Sequence, residues 1–96
     1  MPVILVVQAP GITREQYEDS IKKLSPSGQL ESPADWPVKG LMAHISGEGP
    51  QGFRVVDVWE SEDALHQFGD KLMPILQDLG VEAQPEIYPA HTVVTA

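Results

Sequence analysis

The stretch Phe53–Phe68, FRVVDVWESEDALHQF, decides the fold. Its opening residues alternate as a strand does: Phe53, Val55, Asp57 and Trp59 fall on one side, Arg54, Val56, Val58 and Glu60 on the other. Ser61 then stands where a helix N-cap belongs, and Glu62 and Asp63 follow in the first turn, where the helix dipole favours acids. A strand thus passes straight into a helix, and it carries one carboxylate, Asp57, among apolar neighbours.

On the N-terminal side, Gly40–Ser46 (GLMAHIS) and the turn GEGPQG predict a hairpin with this strand. Strict alternation puts Leu41, Ala43 and Ile45 on one face and Met42, His44 and Ser46 on the other. If Ser46 pairs with Phe53, His44 stands across from Val55 and Met42 across from Asp57; a one-residue slip sends His44 to the opposite face. On the C-terminal side, Leu65, Phe68, Leu72, Ile75, Leu76 and Leu79 recur at helical spacing. Pro74 is expected to divide that helix, Gly80 to end it, and EIYPAHTVV to form a last strand that Pro89 marks as an edge.

Near the start of the chain, Val3–Gln8 (VILVVQ) is short, β-branched and apolar on both faces, and so a strand expected to be covered on both sides. In ITREQYEDSIKKL, Thr13 and Gln16 form a capping box, Ile12 and Tyr17 a hydrophobic staple, and Tyr17, Ile21 and Leu24 one buried stripe. Residues 25–38 hold three prolines and one glycine without sustained period and read as a surface loop, with Trp36 either the plug that packs it onto the body or a lid that touches a ligand.

The order strand, helix, loop, strand, strand, helix, strand is the α+β, ferredoxin-like split βαβ arrangement: a four-stranded antiparallel sheet with two helices on one face. The whole chain, 1–96, reads as one such domain without internal repeat. Since the strands are apolar on both sides, the bare face is expected to pack on a second copy, giving a homodimeric α+β barrel.

Fourteen acids against six bases give a net charge of −8, which argues against nucleic acid and anionic membranes as partners. No cysteine occurs, so thiolate ligands and thiol nucleophiles are excluded. The start, MPVILVVQAPG, lacks a basic segment and a long apolar run, so neither signal peptide nor membrane span is expected and the cytoplasm is the default location. The histidines His44, His66 and His91 show no metal-ligand spacing, and GEGPQG lacks the lysine and following helix of a phosphate loop; no metal site and no cofactor are expected.

Val55–Leu65, VVDVWESEDAL, together with the glycine-led GLMAH, resembles the antibiotic-biosynthesis-monooxygenase-like members of the dimeric α+β barrel superfamily. The resemblance covers most of the chain in element order and residues 53–65 in motif. It implies a small cofactor-independent monooxygenase acting on an aromatic, quinol or polyketide-like molecule, with Trp59 lining a cavity between sheet and helices and Asp57 at a common acidic position. The chain departs from two relatives of that superfamily. Val55 stands where quinone-forming members often carry asparagine, and Phe68 where haem-degrading members carry a histidine; His66 lies two residues earlier, on another side of the helix.

The expected catalytic residues are therefore Asp57 and His44, a carboxylate and an imidazole that can share an apolar pocket and take a proton. Trp59, Phe53, Met42, Phe68, Met73 and His66 are the expected contacts of a small aromatic ligand. The alternative is a non-catalytic homodimer of the same fold that binds a small molecule or a protein, with Asp57 a paired structural carboxylate and the aromatic set ordinary core.

Overall fold

The computed structural model describes residues 1–9, 12–25, 35–50 and 52–94. Residues 26–34 lie outside these, so the expected 25–38 loop is described only at its ends; so does Gln51 of the expected turn. The elements are β1 (Val3–Ala9), α1 (Arg14–Leu24), β2 (Leu41–Gly49), β3 (Gly52–Trp59), α2 (Glu62–Asp78) and β4 (Gln84–Pro89). They form one antiparallel sheet in the order β2-β3-β1-β4, the ferredoxin-like α+β fold that the sequence predicts.

Local chemistry accounts for the helix starts. Thr13 caps α1 in a complete capping box: its hydroxyl accepts from the Gln16 N–H at 3.1 Å, and the Gln16 side chain accepts from the Thr13 N–H at 3.0 Å. Ser61 caps α2 by accepting from the Ala64 N–H at 3.2 Å. Pro74 does not divide α2, which runs unbroken to Asp78. Proline removes one backbone bond, and here it sits on the exposed side, where water reaches the backbone.

The sheet is built from cross-strand rows. On the helix side run Leu41–Trp59–Val3–Pro89, His44–Asp57–Leu5–Ile87 and Ser46–Val55–Val7–Pro85. On the other side run Ala43–Val58–Ile4–Tyr88 and Ile45–Val56–Val6–Glu86. The core lies under α2, where Val3, Leu5, Trp59, Leu65 and Phe68 are buried together with Leu24 and Trp36. Truncating a buried aromatic such as Trp59 to alanine typically costs about 3–5 kcal/mol.

Two features of β2 differ from strict alternation. A β-bulge falls between Leu41 and Ala43, so Leu41 pairs with Trp59 while Ala43 pairs with Val58. Leu41 therefore shares the helix side with His44 and Ser46, and Met42 becomes the extra residue. The hairpin is also offset by two residues from the expected register, with Glu48 rather than Ser46 opposite Phe53. Because two is the period of a strand, the offset keeps every side chain from Ala43 onward on its expected face and brings His44 directly opposite Asp57, while the bulge turns Leu41 to the helix side.

The glycine before β2 has a steric reason. Gly40 has φ +109, and a Cβ there would lie 2.7 Å from the Ala64 Cβ at the start of α2. Its carbonyl accepts the Glu60 N–H at 2.8 Å, which ties the β2 entry to the β3 exit.

Candidate functional site

Asp57 stands in the middle of β3 on the helix side, between Val55 and Trp59, and is 1% exposed. A carboxylate taken that far from water needs a partner. Its β2 neighbour provides one: His44 Nδ1 lies 2.6 Å from Asp57 Oδ1. Directly opposed residues on one sheet face hold their Cβ atoms about 5 Å apart, the spacing that an imidazole and a short carboxylate close.

The other ring nitrogen meets α1. Tyr17 lies with its ring parallel to Phe53, centroids 4.8 Å apart, and this stacking carries its hydroxyl over β2. The hydroxyl is 3.1 Å from His44 Nε2 and donates to Ser46 Oγ at 2.8 Å. Ser20 fixes the same turn of α1 by donating to the Tyr17 carbonyl at 2.6 Å. Burial raises the Tyr17 phenol above its ordinary value and the Asp57 charge pushes the same way, against the bond to Ser46.

These contacts make one chain from the interior outward: Asp57 carboxylate, His44 imidazole, Tyr17 phenol, Ser46 hydroxyl, the last exposed to solvent. An ionised Asp57 only accepts, so His44 Nδ1 carries a hydrogen and Nε2 is left with its lone pair toward Tyr17. The single phenolic hydrogen has two acceptors within reach, Ser46 Oγ and a neutral His44 Nε2. When His44 is imidazolium, Nε2–H donates to the Tyr17 oxygen and the phenol turns to Ser46. The chain can thus hold or pass one proton without large motion.

Beside it lies a cavity of about 70 Å³ between the sheet, α1 and α2, with Tyr17, Ser20, His44 and Asp57 as the polar groups of an otherwise apolar lining. Trp36 closes the cavity over His44. Its ring is edge-on to His44 at 4.7 Å and to Trp59 at 5.9 Å, and tilted on Phe68 at 5.3 Å. It is buried in the core and lines the cavity, so it packs on the body and faces the candidate site at once.

Of the expected site residues, Asp57, His44, Phe53 and Phe68 all line this cavity. Trp59 does not reach its wall: it is 0% exposed beneath Trp36 and Phe68, and its indole N–H has no hydrogen-bond partner among the described residues. Met42, expected opposite Asp57, is the bulged residue and is 43% exposed. His66 and Met73 lie apart from Asp57 and His44, on a groove at the other flank of α2. Among the described residues no three His, Cys, Asp or Glu side chains converge as a metal site. Sequence reasoning missed Tyr17 and Ser46. Tyr17 was legible only as part of a hydrophobic staple and a helix stripe, whereas its hydroxyl, which phenylalanine would lack, makes the contacts to His44 and Ser46.

Neither a protein-family profile nor a curated protein sequence matches this chain. Solved structures do match in fold. SnoaB, described as a cofactor-independent oxygenase from Streptomyces nogalater, superposes with a TM-score of 0.62 at 12% identity, over 99% of this chain and 98% of that one. A candidate monooxygenase from Shewanella loihica PV-4 gives 0.52 at 16% identity over 96% of each chain. A candidate antibiotic biosynthesis monooxygenase from Chloroflexus aurantiacus J-10-fl gives 0.53 at 11% identity, over 99% of this chain and 100% of that one. The resemblance seen around Trp59 thus extends to the whole fold.

Proposed function

We propose that this protein is a cofactor-independent oxygenase that uses His44 as its base on a small aromatic molecule bearing an acidic hydroxyl, such as a quinol. The observation that carries the reading is the Asp57–His44–Tyr17 chain at the wall of an apolar cavity. The shared fold with SnoaB supports it as analogy only, since one fold hosts many chemistries.

In this reading the substrate hydroxyl meets Tyr17. The phenol gives its hydrogen to His44 Nε2 as it takes the substrate's, and Asp57 stabilises the imidazolium formed. The raised Tyr17 value suits a group that must stay protonated between turnovers. The substrate anion gives one electron to dioxygen, and the radical and superoxide combine at a ring carbon. The imidazolium returns the proton through Tyr17 to the peroxide anion, and loss of water from the resulting hydroperoxide, with the hydrogen of the same ring carbon, leaves a carbonyl. One oxygen atom enters the product and the other leaves as water, with all four electrons that reduce dioxygen drawn from the substrate. The apolar lining keeps water from the radical pair.

Oxygen uptake with dihydroxynaphthalenes, without added metal or flavin, tests the proposal. His44→Gln should lower kcat by about 10²–10⁴-fold, the range for loss of a positioned general base. Equal uptake by the variant contradicts it.

We further infer that two copies pair through the sheet face that carries no helices. Ile4, Val6, Ala43, Val56 and Val58 form an apolar stripe there, and Ile45 is 64% exposed. Such a stripe supports association with a like surface. A second reading, a binding dimer without catalysis, draws on the cavity's small volume and on the complete pairing of the His44 and Asp57 groups that face each other.

A further inference from the structure

The Asp57–His44–Tyr17 chain sets a base and an acid side by side. Asp57, 2.6 Å away, keeps the His44 hydrogen on Nδ1 and so leaves a lone pair on Nε2. The Tyr17 oxygen is 3.1 Å from that nitrogen, but the phenol donates to Ser46 Oγ at 2.8 Å, so its hydrogen does not occupy the lone pair. Burial raises the phenol above its ordinary value, and it keeps its hydrogen. Both side chains line the same cavity.

The spacing of the two groups matches one functional group. In a ketone, the oxygen and the α-carbon lie about 2.4 Å apart, from bonds of about 1.23 and 1.52 Å at a trigonal angle. A base and an acid 3.1 Å apart can serve both atoms at once, each within the proton-transfer reach of roughly 2.6–3.2 Å.

We propose that this site also interconverts the keto and enol forms of small uncharged ketones with an activated α-C–H, an isomerase activity that uses no oxygen. The inference rests on the reading of His44 as the base and adds a second reaction there. His44 Nε2 takes the α-proton: the C–H bond breaks, an N–H bond forms, and the electron pair moves toward the carbonyl oxygen. Tyr17 turns from Ser46 and gives its hydrogen to that oxygen, which completes the enol and leaves a phenolate beside the imidazolium. The Nε2 proton then crosses the 3.1 Å contact to the Tyr17 oxygen, and both groups are back in their starting states. The ketone neither gains nor loses electrons, and no co-reactant enters.

The cavity selects the substrate. Among the described residues, Tyr17, His44 and Asp57 are the titratable groups of its lining, and no lysine or arginine joins them. A keto acid would meet the Asp57 carboxylate with no cation to pair it, whereas an uncharged ketone brings no charge to bury. The rest of the wall is apolar, which strengthens the hydrogen bond from Tyr17 to the oxygen where charge develops.

Deuterium uptake from heavy water by β,γ-cyclohexenone, under argon and followed by proton NMR, tests the proposal on the full chain. The wild type should exchange the hydrogens between carbonyl and double bond at least a hundredfold faster than buffer. His44→Gln should lower that rate by about 10²–10⁴-fold. Tyr17→Phe, which keeps the ring that stacks on Phe53, should lower kcat at least tenfold. Circular dichroism checks that each variant is folded. Wild-type exchange at the buffer rate overturns the proposal whatever the variants do, and so does wild-type exchange in either folded variant. Oxygen uptake separates the two reactions. Uptake from dihydroxynaphthalenes without exchange under argon overturns the isomerase alone, while exchange without uptake supports it and overturns the oxygenase.

Discussion

The two faces of the sheet are made by the same strands and differ in what covers them. The helix side buries Trp59 completely and still admits a carboxylate, an imidazole and a phenol, because each of these finds a polar partner. The other side is simpler chemically, a stripe of valine, isoleucine and alanine with polar groups toward its margins, where Arg54 donates to Gln8 at 3.0 Å and Tyr88 bonds Glu86. The contrast is between a side that gathers partnered polar groups beside a cavity and a side that presents an apolar stripe with no helix over it.

The largest expected effect belongs to the covered face. His44→Gln should lower oxygen uptake by about 10²–10⁴-fold while the melting curve persists. If an equal loss followed a charge placed on the bare face, the assignment of chemistry to one side would break. Next comes packing. Leu5→Ala, under α2, should cost about 2–5 kcal/mol in urea denaturation at any protein concentration. Val6→Ala, the next residue and turned the other way, should matter mainly at concentrations where subunits pair.

A third substitution sharpens the reading of the bare face: Val58→Lys sets a charge in the middle of the stripe and should weaken association about a hundredfold or more by sedimentation, with little change in monomer folding. The smallest effect is a pH dependence. The folded Tyr17 value lies above its ordinary value near 10, so the native state keeps the phenolic proton longer than the unfolded chain does. That contribution to stability is complete below about 10 and is lost as pH rises through the higher folded value. Tyr17→Phe should therefore flatten the alkaline fall in stability relative to wild type, and an identical alkaline profile would show that burial does not hold the phenol neutral.

Element order and face assignment were legible because they depend on short-range pattern. Ser61 and Thr13 as caps and Asp57 beside Trp59 follow from spacing along a few residues, whereas His44 on the face of Asp57 depended on the hairpin register. What escaped depends on distance across the fold. The bulge at Met42 answers to Gly40 and Glu60, which pin β2 against the end of β3, and no local pattern announces it. The hairpin register was open from sequence: the pairing considered there, Ser46 with Phe53, differs by two from the observed one, which keeps the faces and puts His44 rather than Met42 opposite Asp57. Tyr17 reaches His44 from 27 positions away, and only the stacking of its ring on Phe53 turns its hydroxyl toward β2. Pro74 was read as a break because its missing donor was visible and its exposed setting was not.

The central claim is that Asp57 holds the His44 ring with Nδ1 protonated and Nε2 presented as a proton acceptor to Tyr17. Two-bond ¹H–¹⁵N correlation spectra of the histidine ring at mildly alkaline pH test it most directly. The account predicts a His44 signal pair with a protonated Nδ1 and a bare Nε2, moving to the opposite tautomer or to exchange between tautomers in Asp57→Asn. A wild-type ring carrying its hydrogen on Nε2 would contradict it.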